Sequence, residues 1–303
     1  MAVDIPFRRE VVFEYGRLEP IAPGIRRIVA RNPGPFTFKG TGTYVVGEGE
    51  VAVIDPGPEL AEHIAALLAS LADEQVTHIL VTHTHRDHSP AAKALKEATG
   101  APTYGFGPHA GGKHGEAGVE EGGDWDFTPN IVVRDGDAIE GSKWRFEAVH
   151  TPGHTSNHLC FALPDDGILF SGDHVMGWST SVIAPPDGDT AAYMASLDKL
   201  LARHDAVYWP THGPAITEPQ RHVRAFVAHR REREAGVIDC LKAGVATIDK
   251  MVERLYVGLN PSLRRAAGRS VLAHLINLIG RDIVTSDGPA TVEARFRLRH
   301  KPR

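Results

Sequence analysis

The first part of the chain alternates between strand-type and helix-type hydrophobic patterns. Apolar, β-branched runs predict strands over 25–30, 41–46, 51–55 and 77–82. Apolar residues at helical spacing predict a helix over 59–71, and a second helix is expected over 90–99. Ser89 is expected to cap this second helix, Pro90 to take its first position and Gly100 to terminate it. The β-α-β-α order predicts a sheet that is partly parallel.

The alternation of strand-type and helix-type patterns stops between residues 105 and 130, where eight glycines interrupt the sequence and no hydrophobic periodicity is present. A loop of this length in a compact domain is usually a lid or another functional segment. His109 and His114 are candidates for substrate contact, although solvated loop histidines are the commoner case. The pattern then resumes with a predicted helix over 189–203 and strands over 130–133, 144–149, 159–163, 168–170 and 207–209.

The last part of the chain has its own pattern. Helices are predicted over 220–242, 247–257 and 261–279, and two strands over 283–284 and 291–298. In the final strand one face is apolar and the other is charged, with Val292, Ala294, Phe296 and Leu298 against Glu293, Arg295, Arg297 and Arg299. Three helices and a basic hairpin resemble a winged-helix module. We therefore predict two domains, over 1–215 and 216–303.

Charge separates the same two parts of the molecule. The net charge is −5. Residues 213–303 carry 17 Lys and Arg against 9 Asp and Glu, about +8, whereas the remainder carries 16 against 29, about −13. This asymmetry predicts either modules with different partners or a basic surface that docks on an acidic one, with equal weight.

Composition narrows the class of protein. The hydrophobic content of 42% suits a globular protein, and no apolar run approaches the roughly 20 residues that span a membrane. The first ten residues lack the apolar core of a signal peptide. Cys160 and Cys240 lie in apolar patterns and are predicted to be buried free thiols. A cytoplasmic location and no membrane association are expected.

The candidate chemistry begins with the motif His83-Thr84-His85-Arg86-Asp87-His88, where a strand ends and a helix begins. In an extended segment His83 and His85 point the same way, while Asp87 and His88 approach from the turn. Four ligand-type side chains at this density favour two adjacent metal ions over a solvated polar loop.

Other predicted strands end in further ligand types, namely His154, Asp173 and His212. Imidazole and carboxylate suit zinc, iron or manganese, and the lack of thiolate argues against a closed structural zinc site. Two ions about 3.5–4 Å apart could be held by this set. Asp55 also ends a strand, and taken alone it is better explained as a turn residue than as a group that orients a metal-binding histidine.

These ordered motifs resemble those of metallo-β-lactamase-fold hydrolases over roughly residues 25–215. The resemblance implies an α+β fold, a four-layer αββα sandwich with two divalent metal ions at one edge, most simply zinc. Carried over by position, His83, His85 and His154 would hold the first ion and Asp87, His88 and His212 the second. Asp173 would bridge the two ions. Asp55 would then orient a ligand, which reverses the preference above.

The tail resembles that of the β-lactamase-like protein 2 branch, whose members are described as glyoxalase II-like hydrolases and in some cases as single-strand endoribonucleases. Glyoxalase II enzymes usually carry Gly-Gly where this chain has Ser89-Pro90. The resemblance implies hydrolysis of a small ester or thioester, with single-stranded RNA as the alternative substrate and a β-lactam or lactone third.

The catalytic expectation is that a water between the two cations, acidified to a pKa of roughly 7, attacks a carbonyl or phosphoryl centre. In this scheme Asp173 bridges the two cations, Asp55 orients one of their ligands, and Asp87 is the candidate proton acceptor. Arg295, Arg297 and Arg299 could guide RNA phosphates. Two other possibilities stay open: the tail only forms a homodimer, or the protein is a nucleic-acid-binding regulator with a vestigial site.

Overall fold

The computed structural model describes residues 3–110 and 122–299. Its first sheet has seven strands in chain order, antiparallel from β1 to β4 and parallel from β4 to β7, as the β-α-β-α order predicted. These strands are β1 (Glu19–Ala22), β2 (Ile25–Val29), β3 (Gly42–Glu48), β4 (Glu50–Ile54), β5 (Gln75–Leu80), β6 (Thr103–Gly105) and β7 (Ile131–Val132).

The second sheet has five strands in the order β12-β11-β10-β9-β8, with only β11 and β12 parallel. They are β8 (Ala138–Glu140), β9 (Arg145–His150), β10 (Leu159–Leu163), β11 (Ile168–Gly172) and β12 (Val207–Pro210). A short 3₁₀ turn, Pro164–Asp166, joins β10 to β11.

Side-chain alternation along the strands produces four layers. In β4, Ala52 and Ile54 face the second sheet, where they share a core with Phe146 and Phe161, while Val51 and Val53 face the helices on the outside. Helices α1 (Ala61–Ser70) and α2 (Ala91–Thr99) cover the first sheet. Helices α3 (Thr190–Leu201) and α4 (Pro219–Lys242) cover the second. The αββα sandwich is therefore confirmed.

The start of α2 differs from the prediction. The helix begins at Ala91 after Pro90, and no side chain caps it. The Ser89 hydroxyl instead donates to the Asp124 carboxylate at 2.6 Å, because this buried serine faces the loop that follows β6. At the other end Gly100 is left-handed at φ 75°, as the sequence indicated.

The C-terminal region contains α5 (Ile248–Leu255), α6 (Arg264–Gly280), a 3₁₀ turn at Pro261–Leu263 and a hairpin of β13 (Val284–Ser286) and β14 (Phe296–Leu298). The strand predicted over 291–298 is therefore wrong for its first five residues, although Val292 and Ala294 do pack against the apolar core of this region. Both cysteines are buried free thiols, as predicted. None of the helices in the described part of the chain could cross a bilayer.

Helix α4 connects the two regions. Val223, Phe226 and Val227 in its first half belong to the core behind the second sheet. Val237 and Cys240 in its second half belong to the core of the C-terminal region. Burial of the first half follows from its apolar face, so the helix that the sequence assigned to the tail also completes the sandwich.

Candidate metal centre

Three imidazoles meet beyond the ends of β5 and β9. The Nε2 atom of His83 lies 3.0 Å from Nδ1 of His85, and Nε2 of His154 lies 3.2 Å from the same atom. Burial lowers the pKa of all three rings, and neighbouring imidazoles lower the pKa of His83 and His85 further. Neutral imidazoles whose nitrogens converge in this way form a group that could hold a metal ion.

A second group of three, Asp87, His88 and His212, lies beside the first. Oδ2 of Asp87 is 3.0 Å from Nε2 of His212 and 3.4 Å from Nε2 of His88. Burial opposes charge on His212, but Asp173 and Asp87 raise its pKa to about 10. For Asp87 burial favours the protonated acid, yet His88 and His212 outweigh it and lower the pKa of the carboxyl. Without a cation, these groups therefore carry opposite charges.

Asp173 lies between the two groups. Its Oδ2 atom is 3.4 Å from Nε2 of His212, 3.6 Å from Nε2 of His88 and 4.0 Å from Nε2 of His154. Its Oδ1 atom and Nε2 of His88 are both buried and have no hydrogen-bond partner among the described residues. Buried polar atoms are normally satisfied, so these atoms and the imidazole–carboxylate donor set fit divalent cations.

Asp55 supports this arrangement from beneath. Its carboxylate accepts hydrogen bonds from the Thr82 amide and hydroxyl, each at 2.8 Å, and from the Thr211 hydroxyl at 2.9 Å. The same carboxylate lies 2.9 Å from Nδ1 of His88. Its backbone is left-handed, at φ 48°, a conformation that a non-glycine residue rarely adopts. The Asp55 carboxylate therefore joins Thr82, Thr211 and His88.

Backbone carbonyls fix two further rings. Nδ1 of His154 lies 2.7 Å from the Val182 carbonyl, and Nδ1 of His212 lies 3.2 Å from the Gly40 carbonyl. A ring nitrogen held in this way directs the opposite nitrogen toward the cluster. Sequence reasoning missed Thr82 and Thr211, although each stands directly before a histidine of a recognised motif, which is the signal that could have found them.

His158 is another group without an assigned role in the sequence interpretation. Its Nε2 atom accepts a hydrogen bond from the Asp173 amide at 3.2 Å, and its ring is fully buried. A Cβ atom on Gly172, which is left-handed at φ 51°, would lie 2.5 Å from the same nitrogen. Glycine is therefore required at this turn, which delivers Asp173 to the cluster.

The two loop histidines have different outcomes. His109 was expected to be a solvated loop residue, but it is half-buried, its ring centroid lies 6.3 Å from that of His85, and its Nδ1 is 2.9 Å from the Thr84 hydroxyl. That expectation is wrong because His109 itself lies against the end of the strand that carries Thr84 and His85. His114 lies outside the described residues.

Comparison with known proteins now identifies the family. Residues 37–212 match the model of the metallo-beta-lactamase superfamily, and residues 247–290 match the beta-lactamase associated winged helix domain. The chain belongs to the metallo-beta-lactamase superfamily. The winged-helix prediction for the C-terminal region is likewise confirmed, and the His/Asp cluster of this fold indicates divalent metal ions.

Individual members show how broad the superfamily is. An atrochrysone carboxyl ACP thioesterase of Claviceps purpurea (strain 20.1) is 30% identical over 79% of this chain and 74% of that protein. A beta-lactamase-like protein 2 homolog of Caenorhabditis elegans is 31% identical over 74% of this chain and 73% of that one. A metallo-beta-lactamase family protein of Thermus thermophilus shares the fold with a TM-score of 0.75 at 23% identity, over 92% and 99% of the two chains. The superfamily match and the thioesterase relative support a hydrolase.

Proposed function

We propose that this protein is a binuclear metal-dependent hydrolase that cleaves a carboxylic thioester or a related ester. The observation that carries the proposal is the pair of three-ligand groups, with the Asp173 carboxylate 3.4–4.0 Å from imidazoles of both. A bridging carboxylate between two N/O donor groups is the arrangement of two-metal hydrolases.

Each side chain of the cluster has a distinct proposed role. His83, His85 and His154 would hold one cation, Asp87, His88 and His212 the other, and Asp173 would contact both. When bound, the divalent cations supply Lewis acidity and an acidified water. Zinc is our first choice, with iron and manganese as alternatives, because the donors are imidazole and carboxylate. Asp87 is our candidate proton acceptor, and Asp55 keeps His88 in place through its Nδ1.

The thioester assignment is supported by the relative named for thioesterase activity, which is 30% identical to this chain. It agrees with the glyoxalase II-type chemistry that the motifs suggested. Single-stranded RNA is the competing substrate, because Arg295 and Arg297 are exposed on the C-terminal hairpin. Both substrates can be tested on the same preparation.

The test is hydrolysis by purified protein of a panel of thioester, ester, lactone, β-lactam and single-stranded RNA substrates, together with metal analysis. Asp173→Ala is expected to lose the metal and at least about 10³ of the rate, since it removes the shared ligand. Asp166→Ala, an exposed carboxylate on the 3₁₀ turn, is the matched control and should keep both. Full activity in a metal-free Asp173→Ala protein would refute the proposal, and cleavage of RNA alone would replace the substrate.

A further inference from the structure

Helices α3, α4 and α6 line a cavity of about 450 Å³ that is open to solvent on one side. Three guanidinium groups and one carboxylate line it, accompanied by a buried histidine and a buried threonine: Arg230, Arg231, Arg281, Glu234, His274 and Thr190. Glu234 is already engaged by the Asn277 amide at 2.9 Å and the Arg281 guanidinium at 2.6 Å. The wall of the cavity is therefore positively charged.

Arg230 is the centre of this charge. Its side chain is buried, with 4% of the residue exposed, and its guanidinium lies 5.0 Å from the centre of the Tyr193 ring. It donates to the Ser181 carbonyl, but its Nε atom has no partner, and no carboxylate of the described chain lies within 4 Å of it. Buried cations are ordinarily paired with an anion, so Arg230 offers unneutralised charge to the cavity.

Two neutral polar groups add to it. His274 and Thr190 are 2% and 3% exposed, and neither Nδ1 of the histidine nor the threonine hydroxyl has a hydrogen-bond partner within the described ranges. Thr190 is the first residue of the twelve-residue helix α3, at whose N-terminus the Asp189 carboxylate already accepts a hydrogen bond from the Ala192 amide at 2.7 Å. A hydroxyl, an imidazole and guanidinium groups are the donor set with which proteins bind phosphate oxygens.

Two buried imidazoles lie near Arg230. Burial lowers the pKa of His274 to about 3, and Arg230 contributes to the same shift. Burial also lowers the pKa of His229 to about 3, helped by Arg230 and Arg233. Burial is the main cause of both shifts, and the neighbouring guanidinium groups act in the same direction.

A second cavity of about 550 Å³ adjoins the first and shares Thr190 and Asn277 with it. Its apolar lining includes Pro186, Leu272, Ile276 and Val292, and Asp189, Glu293 and Arg269 add charged groups to the same wall. The first cavity alone is larger than a phosphate ion, and the adjoining cavity could accommodate a carbon skeleton attached to the phosphate.

We propose that the charged cavity binds the phosphate group of an organic phosphate monoester, whose apolar portion lies in the adjoining cavity. The site is separate from the metal ligands but close to them. Arg230 contacts the Ser181 carbonyl, and the Ser181 hydroxyl donates to the carbonyls of Asp173 at 2.6 Å and His174 at 2.8 Å. A ligand on Arg230 would thus be linked, through Arg230 and Ser181, to the segment that carries Asp173.

The experiment is calorimetric titration of the metal-loaded protein with hexyl phosphate and, separately, with inorganic phosphate. Hexyl phosphate is expected to bind more tightly than phosphate. Arg231→Gln should weaken hexyl phosphate about tenfold, the usual effect of one charge-assisted contact. Glu234→Gln should tighten it, because the change removes the only carboxylate lining the described cavity and releases Arg281.

Arg224→Gln is the matched control, since Arg224 is an exposed arginine of the same helix that does not line the cavity. Phosphates can also bind at the metal centre, and the two variants with opposite effects separate the sites. Equal affinity in wild type, Arg231→Gln and Glu234→Gln would overturn the proposal, as would no binding at millimolar concentration. Equal affinity for hexyl phosphate and phosphate would overturn the role of the apolar cavity.

Discussion

His212 and His274 are both fully buried imidazoles, yet their environments act on them in opposite directions. Burial lowers the pKa of each ring. At His212, Asp173 and Asp87 outweigh burial and raise the pKa to about 10. At His274, Arg230 adds to burial and the pKa falls to about 3. The first ring belongs to a cluster that fits cations, and the second lies against a cavity that fits an anion.

Burial of a histidine alone therefore does not indicate whether its surroundings suit a cation or an anion, because the charged neighbours decide this. Around Asp173 the carboxylates and imidazoles occur together, so a divalent cation can replace the protons on the rings. Around Arg230 no carboxylate of the described chain lies within 4 Å, and the carboxylate of Glu234, which lines the same cavity, is bonded to Arg281. Experiments that change the balance of charge in either region test this comparison.

The largest expected effect is that of metal removal. A chelator should lower the free energy of unfolding, by about 2.7 kcal/mol if metal was present at 100 times its Kd. The reason is that the ligands of both groups come from several strand ends, which a cation holds together. Thermal unfolding with and without chelator measures the effect. Asp173→Ala should show little response to the chelator, and an equal response would place the stabilising ion elsewhere.

The next effect is that of Asp55→Asn. Asparagine tolerates the left-handed backbone, so the change chiefly removes the charge that faces His88. Metal affinity is expected to fall about 10–100-fold, as for other groups that orient a metal ligand. Competition with a chelating dye measures it, and Asp166→Asn is the exposed control. An unchanged affinity would mean that Asp55 serves only to join Thr82 and Thr211.

The clustering of the candidate metal ligands could be predicted from the sequence because these residues stand in short motifs at strand ends. His83 and Asp87 share one motif, and the strands that deliver His154, Asp173 and His212 are clear in the hydrophobic pattern. The hydroxyl contacts of Asp55 were missed. Thr82 and Thr211 each stand directly before a histidine, but they follow strands of different sheets, so only the fold shows that both reach Asp55.

The charged cavity was invisible in the sequence for a similar reason. Arg230 and His274 lie on α4 and α6, 44 positions apart, and the sequence shows them only as polar residues of predicted helices. The excess of positive charge in the tail was visible, but not that one arginine of that excess is buried beside Tyr193. Helical periodicity identifies an apolar face, whereas a buried cation depends on tertiary packing.

Arg230→Met has a smaller expected effect and tests the second region. Removal of the charge should raise the pKa of His274 above about 3, toward the ordinary 6.5. In the wild type, His274 is protonated below about pH 6.5 in the unfolded chain but only below about pH 3 in the folded protein. The unfolded state therefore binds more protons between these pH values, and His274 lowers the free energy of unfolding as the pH falls through that window. The variant should lose less stability there.

Histidine NMR titration measures the change in pKa, and unfolding at several pH values measures the stability. Arg224→Met, on the exposed side of α4, is the control. If the pKa of His274 stayed the same in Arg230→Met, burial alone would account for it. The contrast with His212 would then rest on the carboxylates of the metal centre and not on Arg230.

The smallest expected effect is at Cys160, a buried residue that belongs neither to the candidate metal centre nor to the cavity beside Arg230. Burial raises the pKa of its thiol to about 12, although the Thr151 hydroxyl 3.2 Å away partly opposes the shift. At pH 8 only about one molecule in 10⁴ would carry the thiolate, which is the reactive form. Cys240 is 1% exposed, and burial raises the pKa of its thiol too.

Iodoacetamide should therefore label neither thiol in the folded protein and both in denaturant, as mass spectrometry can measure. Rapid labelling of Cys160 at pH 8 would show that some nearby charge stabilises the thiolate, and would extend the charged interior beyond the metal centre and the Arg230 cavity.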